Sequence, residues 1–147
     1  MQSNSFLSRL YKLLAERTKT FVYFPLALYW LTIFILTTIP TDAIPQFFNA
    51  QDKIEHFSAY FLLAVLLNLT LYFQKQFKLI SDKSFLFAAL FVTGYGAIDE
   101  LHQIFIPGRT CDFFDWTSDA LGGIIGVWIV YIFLRKISAS VAHETVS

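Results

Sequence analysis

The chain has 147 residues, 56% of them hydrophobic and only 15% charged, with a formal net charge of zero. A water-soluble domain this apolar lacks the polar surface to cover itself, and a neutral chain without a basic patch offers nothing to nucleic acid. The length suits a single domain, and lone Cys111 cannot close an intrachain disulfide.

Taken in chain order, Phe6, Leu7, Leu10, Leu13 and Leu14 recur at helical spacing, with Arg9, Lys12, Arg17 and Lys19 between them. That pattern predicts an interfacial amphipathic helix on an anionic leaflet, with a disordered basic leader as the alternative. Four stretches then approach the roughly 20 apolar residues needed to cross a bilayer. The first, Phe21 to Ile39, is uncharged; Pro25 falls in its first turn and Pro40 closes it. It is expected to be retained and not cleaved as a signal peptide, because a leader precedes it and its apolar run is too long. The second, Ile54 to Phe73, is charged only at its start. The third, from Phe85, reaches spanning length only by including Asp99, Glu100, His102 and Gln103, and the fourth runs from Phe114 to Leu134. All are read as helices, since an unpaired strand cannot satisfy its backbone in lipid.

The expected fold is therefore all-α: a polytopic membrane protein with four transmembrane helices in an up-down-up-down bundle. Residues 1–20 form a cytoplasmic leader, 21–134 the membrane domain (helices about 21–39, 54–73, 85–106 and 114–134) and 135–147 a cytoplasmic tail. Orientation follows from lysine and arginine. Arg9, Lys12, Arg17, Lys19, Lys75, Lys78, Lys83, Arg135 and Lys136 fall on one side, and only Lys53 and Arg109 on the other. Both termini are expected in the cytoplasm of a bacterial cell, with the protein in its inner membrane. Asp42, Asp52, Glu55, Asp99, Glu100, Asp112, Asp115 and Asp119 all lie in the opposite, outer half.

Those acids are costly. An Asp near mid-membrane costs about 2.5–3.5 kcal/mol, against about 0.3–0.6 gained per strong apolar residue. In the third span Gly96, Asp99, Glu100 and Gln103 share a helix face, and His102 points off it. A frayed helix end would explain them more simply, but aliphatic residues resume at Ile104. Pro107-Gly108 suits the middle of a type II turn, which would send Arg109 back across the bundle mouth. There it could grip carboxylates or an anionic ligand. In the fourth span Asp112, Asp115 and Asp119 stack on one face, with Gly122 and Gly126 continuing near it as a G-x-x-x-G. The helix dipole accounts for Asp112 and fails for Asp119, over a turn further in. The second span brings Asp52, Lys53, His56 and Tyr60 to the same level.

Asp52-Lys53, His56, Tyr60, Glu100, Gln103, Pro107-Gly108-Arg109, Asp115 and the Gly122-Gly123 region, in this order between apolar spans, resemble the VanZ-like family of bacterial membrane proteins. The resemblance covers about residues 30 to 130; Asp119 stands where many members carry Asn. It implies a cell-envelope setting and a link to antibiotic resistance, the family being named for a protein associated with resistance to teicoplanin. It implies no reaction.

Three functions are weighed. In the first, an envelope enzyme acts on an amphiphilic anionic substrate such as a lipid-linked phosphate or a lipoglycopeptide. Glu100, His56 and Asp115 would be its catalytic groups, and Arg109, Lys53, Tyr60, Gln103, Asp119 and Asp52 would bind substrate. A divalent cation is a possible cofactor of the same carboxylates and His56. In the second, the site binds, transports or relays protons without catalysis. In the third, the charges lock the helices and activity comes through a partner. Expected partners are membrane lipids and an envelope amphiphile; the oligomeric state is open.

Overall fold

A computed structural model describes residues 6–40, 45 and 47–146. Asp42 lies outside the described residues, as do the side chains of Leu7 and of residues 138–147, His143 among them. The elements are α1 (Phe6–Glu16), a π-helical turn (Lys19–Tyr23) running into α2 (Phe24–Thr37), α3 (Gln51–Phe73), the short α4 (Lys78–Asp82), α5 (Ser84–Gln103) and α6 (Phe113–Val146). No strand occurs among the described residues.

Four stretches are long and apolar enough to cross a membrane: Lys19–Thr37, Gln51–Phe73, Ser84–Gln103 and Phe113–Ile137. Their surfaces are inverted relative to a soluble protein. Leu31 and Ile35 of α2, Leu90 and Ile98 of α5, and Ile124 and Trp128 of α6 point outward, whereas Asp99, Glu100, Asp115 and Asp119 are buried. Apolar outside and ionic inside is the arrangement that hydrocarbon demands. The protein is a multi-pass membrane protein.

Interhelical contacts fix the directions of the spans. Gly122 and Gly126 of α6 lie on the carbonyls of Phe57 and Phe61 of α3, so these two helices run parallel. Gly123 meets Val92 and Asp119 meets Gly96, so α5 runs against α6. On α2, Trp30 packs on Phe91 and Tyr95, and Phe34 stacks on His102, so α2 runs with α5. The result is up-down-up-down.

The α3–α6 seam is backbone to backbone. A Cβ on Gly122 would collide with the Phe57 carbonyl oxygen, and one on Gly126 would stand 2.5 Å from that of Phe61. The core around the seam contains Tyr60, Leu63, Ala64, Leu67, Val92 and Val127. Polar bonds reinforce it: Asn68 Nδ2 donates to the Val127 carbonyl at 3.3 Å, and Trp116 Nε1 to that of Thr93 at 3.1 Å. By contrast the first span buries only Val22 in its π-helical turn and Leu26 and Ile33 in α2, and the Tyr29 hydroxyl donates to the Ala59 carbonyl of α3 at 3.1 Å.

Some boundaries differ from expectation for local reasons. α3 begins at Gln51, not Ile54, because Gln51 ties down the incoming chain. Its Oε1 accepts the Phe47 N–H at 2.8 Å, and its Nε2 donates to the Pro45 carbonyl at 3.1 Å. α5 stops at Gln103, not residue 106, tightening through i→i+3 bonds from Phe105 N and Ile106 N to the carbonyls of His102 and Gln103. The Pro107-Gly108 turn then follows as predicted, with Gly108 at φ 73° and Arg109 N–H donating to the Ile106 carbonyl at 3.1 Å. The stretch expected as a tail continues α6 to Val146.

The α2–α3 and α5–α6 connections share one end of the bundle, the acidic end. α1, α4 and the close of α6 share the other, the basic end, where the ring of Tyr11 packs on Phe73 with centroids 5.3 Å apart. A cavity of about 670 Å³ lies at the basic end, lined in part by Tyr11, Asn68, Tyr72, Lys75 and Arg135.

Candidate functional site

At the acidic end the first turns of α3 and α6 meet the last turn of α5. Lys53 donates to three carboxylates: Asp115 Oδ1 at 2.8 Å, Asp52 Oδ2 at 3.0 Å and Asp112 Oδ2 at 3.1 Å. This half-exposed cage clamps α3 to α6.

Asp112 stands just before α6 and caps it, its Oδ1 accepting the Phe114 N–H at 2.8 Å. That N–H and the Lys53 ammonium hold its carboxyl below the usual carboxylate range. Its own N–H donates to Glu100 Oε2 at 2.8 Å, which fixes the Glu100 side chain from the α6 side.

One turn deeper, His56 lies between two buried acids. Its Nδ1 is 2.9 Å from Asp119 Oδ1 and 3.8 Å from Glu100 Oε1. Nδ1 can share a proton with Asp119, while Glu100 Oε1 sits beyond hydrogen-bond reach. Asp119 is fully buried because α5 offers Gly96 opposite it; a Cβ there would lie 3.0 Å from Asp119 Oδ2 and 3.3 Å from the Tyr60 ring. Asp119 Oδ2, Glu100 Oε1 and the Tyr60 hydroxyl have no hydrogen-bond partner among the described residues. On the next turn of α5, Gln103 Nε2 donates to Asp99 Oδ2 over 3.5 Å.

A cavity of about 590 Å³ opens between α2, α3 and α5 on the other side of His56. Its polar lining includes His56, Tyr60, Glu55, Asp99 and Arg109, and its apolar lining includes Ile33, Leu36 and Leu62. Leu36 and Leu62 are also exposed on the bundle surface, so the cavity reaches the lipid-facing side between α2 and α3.

The expected site residues thus fall into two groups joined at His56. Lys53, Asp52, Asp115, Glu100, His56 and Asp119 converge between α3, α5 and α6, with Tyr60 below them. Among the described residues the Gln103 side chain reaches Asp99 alone. Of the two expectations for Arg109, a grip on carboxylates or on an anionic ligand, the first is not met: no carboxylate among the described residues lies within ion-pair distance. Its Nε donates to the Ile39 carbonyl at 3.2 Å and its Nη2 to that of Leu36 at 3.5 Å. Carbonyls at the end of a helix are partially negative; the guanidinium pairs that of Ile39 and adds a second donor to that of Leu36, which already accepts the Ile39 N–H at 3.2 Å. The cavity lining by Glu55 and the linking role of Asp112 were missed. For Asp112 the signal was present, an Asp directly before an apolar helical run.

No curated protein and no solved structure matches this chain. A family model described as VanZ/LLP1 matches residues 17–134, which include α2, α3, α5 and the site, and the chain belongs to the VanZ/LLP1 family.

Proposed function

We propose that this membrane protein binds, and through His56 can process, an anionic amphiphile of the bacterial envelope in the cavity between α2, α3 and α5. The observation that carries the reading is the two-faced wall of that cavity. Arg109 and His56 supply polar groups suited to a headgroup, while Ile33, Leu36 and Leu62 supply an apolar flank that opens on the lipid-facing surface. A guanidinium already bonded to backbone carbonyls retains N–H donors for a phosphate oxygen. His56 is the acid–base group best placed to act, because it belongs both to the carboxylate cluster and to the cavity wall.

Nine lysines and arginines on the basic side against two on the acidic side support an orientation with both termini cytoplasmic and the cavity at the outer face of the inner membrane. The substrate class is a lipid-linked phosphate or a lipoglycopeptide of the teicoplanin kind, and altered resistance to the latter is one phenotype to examine. A purely structural reading draws support from the Lys53 cage and the Arg109 cap, but leaves the cavity and His56 without a role.

The test is native mass spectrometry of the purified protein with a polyprenyl phosphate and with a neutral diacylglycerol of similar apolar size. The phosphate should be retained at least ten-fold better. Ser58→Trp, which fills the cavity from its wall, and Arg109→Gln should each abolish the preference. Equal retention of both lipids, or a preference indifferent to both substitutions, removes this reading.

A further inference from the structure

We propose that His56, Glu100 and Asp119 form a binding site for one divalent transition-metal ion of the zinc or manganese type. His56 Nδ1, Glu100 Oε1 and an Asp119 carboxylate oxygen come from three different helices, and the donor atoms lie within 4.8 Å of one another. Ligands held about 2.1 Å from a tetrahedral ion stand about 3.4 Å apart. The observed 2.9 Å and 3.8 Å from His56 Nδ1 to its two acids bracket that value. The third pair, Glu100 and Asp119, lies within 4.8 Å, so side-chain movement that draws these two carboxylates together would close the site.

Charge and hydrogen bonding both leave room for the ion. Glu100 is 2% exposed and Asp119 0%, and each has one carboxylate oxygen without a donor among the described residues. The proton on His56 Nδ1 can serve Asp119 Oδ1 but not Glu100 Oε1 at the same time. The Lys53 ammonium at the same end of the bundle is already shared among Asp52, Asp112 and Asp115. A cation inside the trio meets both buried carboxylates at once, and buried unpaired carboxylates are otherwise strongly unfavourable.

The surroundings are those of a supported site. Glu100 is oriented by the Asp112 N–H on its second oxygen, and Asp119 is seated against Gly96. Ligating carboxylates are held in this way by groups outside the coordination sphere. One imidazole with two carboxylates suits zinc or manganese better than the all-oxygen sets preferred by calcium and magnesium. Three protein ligands leave a fourth position open, the pattern of reactive and not merely structural zinc sites. This inference does not depend on what occupies the neighbouring cavity; with an ion bound, His56 would serve as its ligand and not as the acid–base group.

The test uses full-length protein purified with a non-histidine tag, stripped with chelator, and titrated separately with Zn²⁺ and Mn²⁺. Elemental analysis after desalting should give one equivalent of at least one of the two metals, with a raised thermal midpoint. Glu100→Gln and Asp119→Asn, both near-isosteric, should each weaken that binding at least ten-fold while His102→Ala leaves it intact. Mn²⁺ or substituted Co²⁺ should report a nitrogen ligand that disappears in His56→Ala. Absence of stoichiometric metal in folded wild-type protein overturns the proposal. So does metal binding that survives Glu100→Gln and Asp119→Asn unchanged.

Discussion

Asp112 joins three elements through three of its atoms. One carboxylate oxygen caps α6, the other accepts from Lys53 of α3, and its N–H holds Glu100 of α5. Because the folded carboxyl titrates below its ordinary value, its charge-dependent contribution is fully present above the unfolded pKa of about 4. It is lost as pH falls through the lowered folded value. Asp112→Asn keeps a capping oxygen and loses the charge, so its thermal midpoint should trail wild type at neutral pH and converge on it in acid. Asp112→Ala should lose about 1 kcal/mol more from the missing cap. A wild-type-to-Asn gap that is flat from pH 7 to pH 3 would count against the charge argument. The cap was readable from an Asp before Phe113. The bond to Lys53 was not, because 59 residues separate the pair and only the packing of α3 on α6 brings them together.

At the scale of elements, glycine decides how closely α3 and α6 approach, and through them how far His56 stands from Asp119. Gly122→Ala forces a methyl group into the Phe57 carbonyl and should cost about 1–3 kcal/mol, the usual penalty of overfilling a packed interior. Gly94→Ala on α5 meets nothing within 4 Å and should be neutral or mildly stabilising. Thermal unfolding of both variants in one detergent checks the contrast. The four spans were legible because apolar runs of bilayer length are compositional, and the inward face of α6 was legible because acids and glycines repeat along it. The carbonyl partners of Arg109 were not legible for a spatial reason: the end of α2 lies under the Pro107-Gly108 turn, and no pattern within residues 104–109 contains that neighbour. The cavity was likewise invisible, being formed by helices that flank a gap and not by any motif.

Over the whole molecule, most basic residues gather at one end and most acids at the other, an asymmetry that an anionic inner leaflet and the positive-inside bias would together align. The chain carries its own reporter of that alignment. Cys111 is its single cysteine, is exposed, and stands in the α5–α6 connection at the acidic end. In intact cells a membrane-impermeant maleimide should label wild-type protein, and Cys111→Ser should remain unlabelled. Labelling only after permeabilisation would reverse the orientation, placing the cavity and the carboxylates on the cytoplasmic side.

The unequal burial of the helices has a mechanical consequence. α3 and α6 touch through their backbones, while α2 rests on α3 and α5 chiefly through aromatic rings, the Tyr29 hydroxyl and the Arg109 guanidinium. A molecule pressing in sideways from the bilayer would therefore meet its weakest seam at α2, while the backbone contact of α3 with α6 holds the ionic centre behind it in register.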